Sequence, residues 1–168
     1  MAKRWHMMMM RGLTVPNEQH RGCFRGEPGQ ERLEVRIGSQ RGVAAANVTA
    51  ELIAFQSKLR LLTSEMDATL PPGAPTDEDQ LTGVLAVCAW AHSEWIRIHP
   101  FANGNGRTAR LWVNCIAMRY GLPPFLLLRP RPGRAYGQAA AEAMRGQWKH
   151  TIVLFRQLLD DFFQQYPS

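Results

Sequence analysis

Cysteine is scarce in this chain. Cys23, Cys88 and Cys115 are the three in 168 residues, an odd number at wide spacing with no CxxC pair. That excludes a disulfide scaffold and a thiolate zinc site, and fits reduced thiols in a cytoplasmic setting. No apolar run approaches the ~20 residues that span a bilayer, so a membrane is not among the expected partners. The start, MAKRWHMMMMRG, has a basic head, but its apolar run is four methionines and no small-residue cleavage site follows. A short helix is expected there, with the true start left open by the repeated methionines. Repeats, linkers and any recognisable nucleic-acid module are also absent. Only 20% of residues are charged against 45% apolar, which excludes a disordered chain and predicts one domain over 1–168 with a core of its own. The net charge of +6 favours acidic partners: nucleotides, acidic protein surfaces or, less well supported without a module, nucleic acid.

Hydrophobic periodicity predicts a mainly α chain. After a loop rich in Pro and Gly from Thr14 to Gly29, Arg32–Ile37 alternates polar and apolar with period two, as a half-buried strand does. Gly38 to Gly42 supplies a turn and Val43 opens a return strand, giving a hairpin over about 32–45. Val48, Leu52, Phe55, Leu59, Leu62 and Met66 form one apolar helix face behind an Asn47 N-cap. Pro71-Pro72-Gly73-Ala74-Pro75 breaks that helix, and Thr76 with Asp79 predicts the capping box of the next. This second helix buries Leu81, Val84, Leu85, Cys88 and Trp95 and ends near Ile98. A third, from Asn105 to Tyr120, is expected to turn Thr108, Leu111, Trp112, Cys115 and Met118 inward and to stop at Gly121. Two more helices are expected, over Ala135–Met144 and around Trp148–Phe162.

Residues 99–110, HPFANGNGRTAR, carry the chemistry. His99 is a candidate proton acceptor, because an imidazole titrates near neutral pH. Gly104, Asn105 and Gly106 let backbone N–H groups turn toward phosphate oxygens at the start of a helix, whose positive dipole end adds to the pull. Arg107 and Arg110, three residues apart on one helical turn, are able to fork onto further phosphate oxygens. Pro100 and Phe101 are expected to be structural, a fixed turn and a buried ring that aim His99. A bare Gly-Asn-Gly would be ordinary loop punctuation; the length of the whole run argues for a polyphosphate grip beside a base.

This run resembles the signature of Fic-domain proteins, HPFx[D/E]GNGRxxR, at every defined position except one: Asn103 stands where the family has Asp or Glu. Gly22–Arg25 followed by the Leu33–Val43 hairpin resembles the family's flap, Ala91-His92 and Ile98 its run-in, and Tyr136 the aromatic that borders the nucleotide. The resemblance implies a Fic-type helical bundle with a small β-hairpin flap, and transfer of AMP from ATP to a Ser, Thr or Tyr hydroxyl of a target protein. His99 would be the general base. Gly104, Asn105, Gly106, Arg107, Arg110 and Tyr136 would bind the nucleotide, with Mg²⁺ or Mn²⁺ as cofactor and Asn103 at the metal position. Asn103 lacks the charge of the usual carboxylate, so weaker metal binding is implied. The flap, with Leu33, Val35, Ile37 and Val43 as its apolar members, would clamp the target by strand addition.

The family's inhibitory helix, [S/T]xxxE[G/N], has no good counterpart. Thr14–Glu18 has the spacing, but Pro16 falls inside it and Gln19 follows. Inhibition is therefore expected from a separate antitoxin-like chain, from sequence upstream, or not at all. Two alternatives to adenylyl transfer stay open: a catalytically weak nucleotide-binding module, and transfer of another nucleotide or phosphate-containing group.

Overall fold

The computed structural model describes residues 1–37, 39–70, 73–130 and 132–166. Its helices are α1 (Ala2–Met10), α2 (Val48–Thr69), α3 (Glu78–Ile98), α4 (Asn105–Arg119), α5 (Arg134–Ala143) and α6 (Lys149–Gln165), and its strands are β1 (Arg36–Ile37) and β2 (Gln40–Arg41). The chain is thus mainly α with one small antiparallel hairpin. No helix among the described residues is long and apolar enough to cross a membrane, and all three cysteines are free thiols.

Helix α3 is the axis of the bundle and packs on α2, α4, α5 and α6. Such a helix must be apolar nearly all round, and Leu85, Cys88, Ala91, Trp95 and Ile98 are all 1% exposed or less. Each fully buried Leu, Ile or Phe of this kind contributes ~1.5–3 kcal/mol. The α2 face is as expected, with Val48 and Phe55 buried and Leu52, Leu59, Leu62 and Met66 packed on the core.

Helix α4 departs from expectation in which face it buries. Thr108 is fully buried as expected, and so are Ala109, Val113 and Ala117, whereas Leu111, Trp112 and Cys115 are half-buried and Met118 is 51% exposed. Periodicity read from bulky residues picks the wrong stripe here. The close approach of α3 selects the small residues instead, and the large ones flank the contact. The helix ends as expected: Gly121 adopts φ +70°, and the N–H groups of Gly121 and Leu122 return to Met118 and Ala117.

Two caps and the hairpin also differ. Asn47 closes a short 3-10 turn over Ala45–Asn47, and its side chain caps nothing. The cap of α3 is Asp77, one residue beyond Thr76; its carboxylate accepts from Gln80 N–H at 2.8 Å, while Gln80 Oε1 accepts from Thr76 N–H at 2.9 Å. Arg32–Val35 does not pair as strand, although its alternation is real: Leu33, Val35 and Ile37 are half-buried, and Arg32, Glu34 and Arg36 exposed. The return strand is Gln40–Arg41 and lies before Val43, so the expected Gly38–Gly42 turn is too long. In register, Arg36 faces Arg41 and Ile37 faces Gln40, with one further bond from Gly42 N–H to Val35 C=O. Gly38, Pro71 and Pro72 lie outside the described residues.

Candidate functional site

The site forms where α3 ends and α4 begins. His99 closes α3 in the left-handed conformation, φ 52° and ψ 57°, its N–H returning to Trp95 C=O at 3.0 Å. Among the described residues it is the one non-glycine residue with positive φ, a conformation that costs a β-carbon residue ~1–2 kcal/mol. Its Nδ1 lies 3.0 Å from Ile96 C=O. A carbonyl only accepts, so Nδ1 carries the proton and Nε2 is left with its lone pair. Burial, followed by the nearby positive Arg25, holds the imidazole below its usual pKa, against the Ile96 hydrogen bond that raises it. The ring is therefore neutral at neutral pH and able to accept a proton at Nε2.

Beyond His99 the loop is clamped from within. Asn105 is buried, and its side chain accepts from Phe101 N–H and donates to Phe101 C=O, both at 2.9 Å. That commits the Asn105 side chain to shaping the loop and leaves only its backbone for an anion. Gly104 has φ +71°, and a β-carbon there would sit 3.0 Å from His6 Nε2. The N–H groups of Gly104, Asn105 and Gly106 meet no acceptor among the described residues. Three donors at the start of α4 are thus available to an anion.

The arginines diverge. Arg110 is 4% exposed; its Nη1 donates to Tyr136 Oη at 3.2 Å and its Nη2 to Leu128 C=O at 2.9 Å. No carboxylate among the described residues pairs with it, and its buried Nε meets no acceptor. A buried guanidinium in that condition favours an anion strongly. Arg107 instead turns toward the end of α1, donating to Met9 C=O at 3.3 Å and approaching Met10 Sδ at 3.1 Å. Its pKa is lowered by burial first, and then by the positive charges of Arg129 and Arg110. Arg129, which the sequence reading passes over, is thus close enough for its charge to act on Arg107.

Tyr136 is buried between partners. Its hydroxyl lies 2.6 Å from His92 Nε2 and within reach of Arg110. Burial, then Arg110, pushes His92 down to about 3, so His92 is a neutral acceptor for the Tyr136 O–H. Asn103 is exposed, and its backbone carbonyl accepts from His6 Nε2 at 3.1 Å. No group of three or more His, Cys, Asp or Glu side chains able to hold a metal occurs among the described residues. At Asn103 the side chain offers a neutral amide oxygen in place of a carboxylate.

Two residues to which the sequence reading gave no role of their own organise this loop, His6 and the Arg25 that ends the Gly22–Arg25 stretch. His6, on α1, is fully buried, stacks on Phe101 at 3.9 Å between ring centroids and accepts from Gly22 N–H at 2.9 Å. Arg25 is fully buried as well. Its Nε donates to His99 C=O at 2.8 Å and its Nη2 to Ile98 C=O at 3.0 Å, while the same guanidinium reaches Leu33 C=O at 3.2 Å and Val43 C=O at 2.7 Å. The flap is thereby tied to the signature loop, and a β-carbon on Gly42 would lie 2.9 Å from His99 Cβ. Leu33, Val35 and Val43 sit around that tie, with Ile37 at the hairpin turn. The signal available in the sequence was weak: an arginine inside a glycine-rich loop looks like any solvated charge.

These features, a left-handed histidine after a long helix, a glycine-led anion nest and a hairpin tied over both, define the class. The Fic/DOC family model matches residues 2–117, and the chain belongs to that family. It is 36% identical over 77 residues to Protein adenylyltransferase Fic of Drosophila melanogaster, a match covering 46% of this chain and 13% of the relative. The corresponding protein of Drosophila persimilis is 44% identical over 77 residues, with the same coverages. Protein adenylyltransferase fic-1 of Caenorhabditis elegans is 50% identical over 52 residues, 30% of this chain and 10% of the relative. The matched stretch thus spans about an eighth of the Drosophila relatives' length.

Proposed function

We propose that the chain is a protein adenylyltransferase. The observation that carries the reading is the juxtaposition of an Nε2 lone pair on His99 with three unclaimed backbone donors and the buried, acid-free Arg110. ATP would place its α- and β-phosphates on the Gly104–Gly106 N–H groups and its distal end near Arg110, Arg107 and Arg129. The hydroxyl oxygen of a target Ser, Thr or Tyr then attacks the α-phosphorus as His99 Nε2 takes its proton. The bond from that phosphorus to the bridging oxygen breaks, and its electron pair leaves with pyrophosphate. Mg²⁺ or Mn²⁺, borne by the phosphates and touched by Asn103, would neutralise charge as pyrophosphate departs. Tyr136 and His92 act by holding Arg110 in place. The flap presents the target strand above His99.

Regulation follows from Arg110. It has no carboxylate partner among the described residues, so an inhibitory acid, where there is one, would come from a separate antitoxin-like chain or from sequence upstream. The test is incubation with α-labelled ATP, Mg²⁺ or Mn²⁺ and a cell lysate. Label should enter a protein band with the wild type and vanish with His99→Ala, whose nucleotide affinity stays within a few fold. The absence of a carboxylate at Asn103 favours one second reading, a nucleotide-binding module of weak activity. That reading predicts ATP affinity without label.

A further inference from the structure

Arg36 and Arg41 stand directly opposite one another across the hairpin, both exposed. Like charges in that register destabilise a sheet, and this ladder is only two residues per strand. Three arginines elsewhere do meet carboxylates: Arg97 meets Glu51 and Glu94, Arg119 meets Asp67, and Arg156 meets Glu78 and Asp160. Arg36 and Arg41 reach no carboxylate among the described residues. Glu34, two residues before Arg36 on the same face, is drawn away: its Oε1 accepts from Ala45 N–H at 2.9 Å and its Oε2 lies 3.6 Å from Arg25. The outer face of the flap is therefore an uncompensated pair of positive charges.

The opposite face points at the base. A β-carbon on Gly42 would meet Val35 Cγ2 at 3.0 Å and His99 Cβ at 2.9 Å, so the half-buried Val35 side lies toward His99. Side chains alternate faces along a strand. A segment added to the flap edge must turn its acceptor hydroxyl to the His99 side, which puts the residues just before and after it on the Arg36–Arg41 side. From this we infer that the flap selects an extended target segment in which the residue on one or both sides of the modified Ser, Thr or Tyr is acidic. A carboxylate there meets one guanidinium directly and lies within the field of the other. The inference deepens the adenylyltransferase reading and rests on it for the identity of the acceptor.

The test uses the whole chain and synthetic peptides with a central Ser flanked by Asp, by Ala or by Lys, each scored twice: for binding by fluorescence anisotropy, and for label from α-labelled ATP. Asp-flanked peptide should bind and be labelled about five- to tenfold better than the Ala peptide, the scale of two exposed ion pairs, with the advantage falling as salt rises. In the variant R36E/R41E the order should reverse in favour of the Lys peptide, with ATP affinity read as the folding control. Discrimination in binding without label would sustain the acidic clamp and sink adenylyl transfer. Label without discrimination, discrimination unchanged in R36E/R41E, or no peptide binding at all would overturn the clamp. So would tighter binding of single-stranded DNA through the same two arginines, which would mark a nucleic-acid face.

Discussion

Arg25 holds His99 by the backbone: its Nε donates to the His99 carbonyl at 2.8 Å, and the guanidinium is wholly buried. The histidine's strained conformation and the height of the flap above it thus depend on one side chain. Arg25→Met should leave the carbonyls of Ile98, His99, Leu33 and Val43 short of a donor at about 1–3 kcal/mol for each that stays buried. A loss of several kcal/mol in denaturant melts is expected. Arg25→Lys keeps the charge but not the fork, and should recover only part of it. A melt unchanged in both variants would show that the tie is incidental.

The imidazole of His99 sets a pH profile. Its pKa is held below the usual value, by burial first and then by Arg25. Transfer should therefore be flat at neutral pH and fall only in acid, once Nε2 is protonated. Removing the Arg25 charge should raise the pKa and move that fall toward neutral pH. NMR titration of His99 in wild type and Arg25→Met measures the shift directly, and a move in the opposite direction would contradict the assignment.

His92 gives a stability profile of known sign. Its folded pKa is about 3, below the usual 6.5 or so of an unfolded histidine. The unfolded chain then binds the extra proton, so this contribution is complete above that value and is lost as the pH falls from there toward 3. His6 shifts in the same direction, by burial first. Melting temperature should drop steadily across this window, and His92→Phe should flatten part of the slope. A slope untouched by that substitution would assign the acid sensitivity elsewhere.

Tyr136→Phe separates two roles for one ring. The hydroxyl holds Arg110 at 3.2 Å and His92 at 2.6 Å. Its removal should weaken ATP several-fold and AMP little if Arg110 holds the distal phosphates as proposed. Calorimetry with both nucleotides decides. Equal, small effects would favour a ring that simply borders the base.

Asn103→Asp restores a carboxylate at an exposed position whose backbone is already fixed by His6. The Mg²⁺ concentration for half-maximal transfer should fall by about tenfold, the scale of one added charge at a metal. An unchanged metal titration would mean that the side chain does not face the phosphates.

What the sequence by itself determined is local. Period-two alternation marked Leu33, Val35 and Ile37, period 3.6 marked the faces of α2 and α3, and Gly121 marked the end of α4, because each depends on neighbours a few residues away. The HPFANGNGRTAR run marked the candidate site for the same reason, since His99, the Gly104–Gly106 turn and the two arginines lie close together along one backbone. Strand extent and caps were less legible. Arg32–Glu34 alternates without pairing, and the Leu33 carbonyl accepts from Arg25 in place of a ladder partner. Only the tertiary structure decided which side chains hold the loop. His6 meets Asn103 across 97 residues, Arg25 meets His99 across 74, and α3 comes close enough that Ala109, Val113 and Ala117 take the buried stripe of α4. Local pattern cannot encode such contacts: a buried arginine or histidine looks like a surface one until the fold removes its water and supplies carbonyls in return.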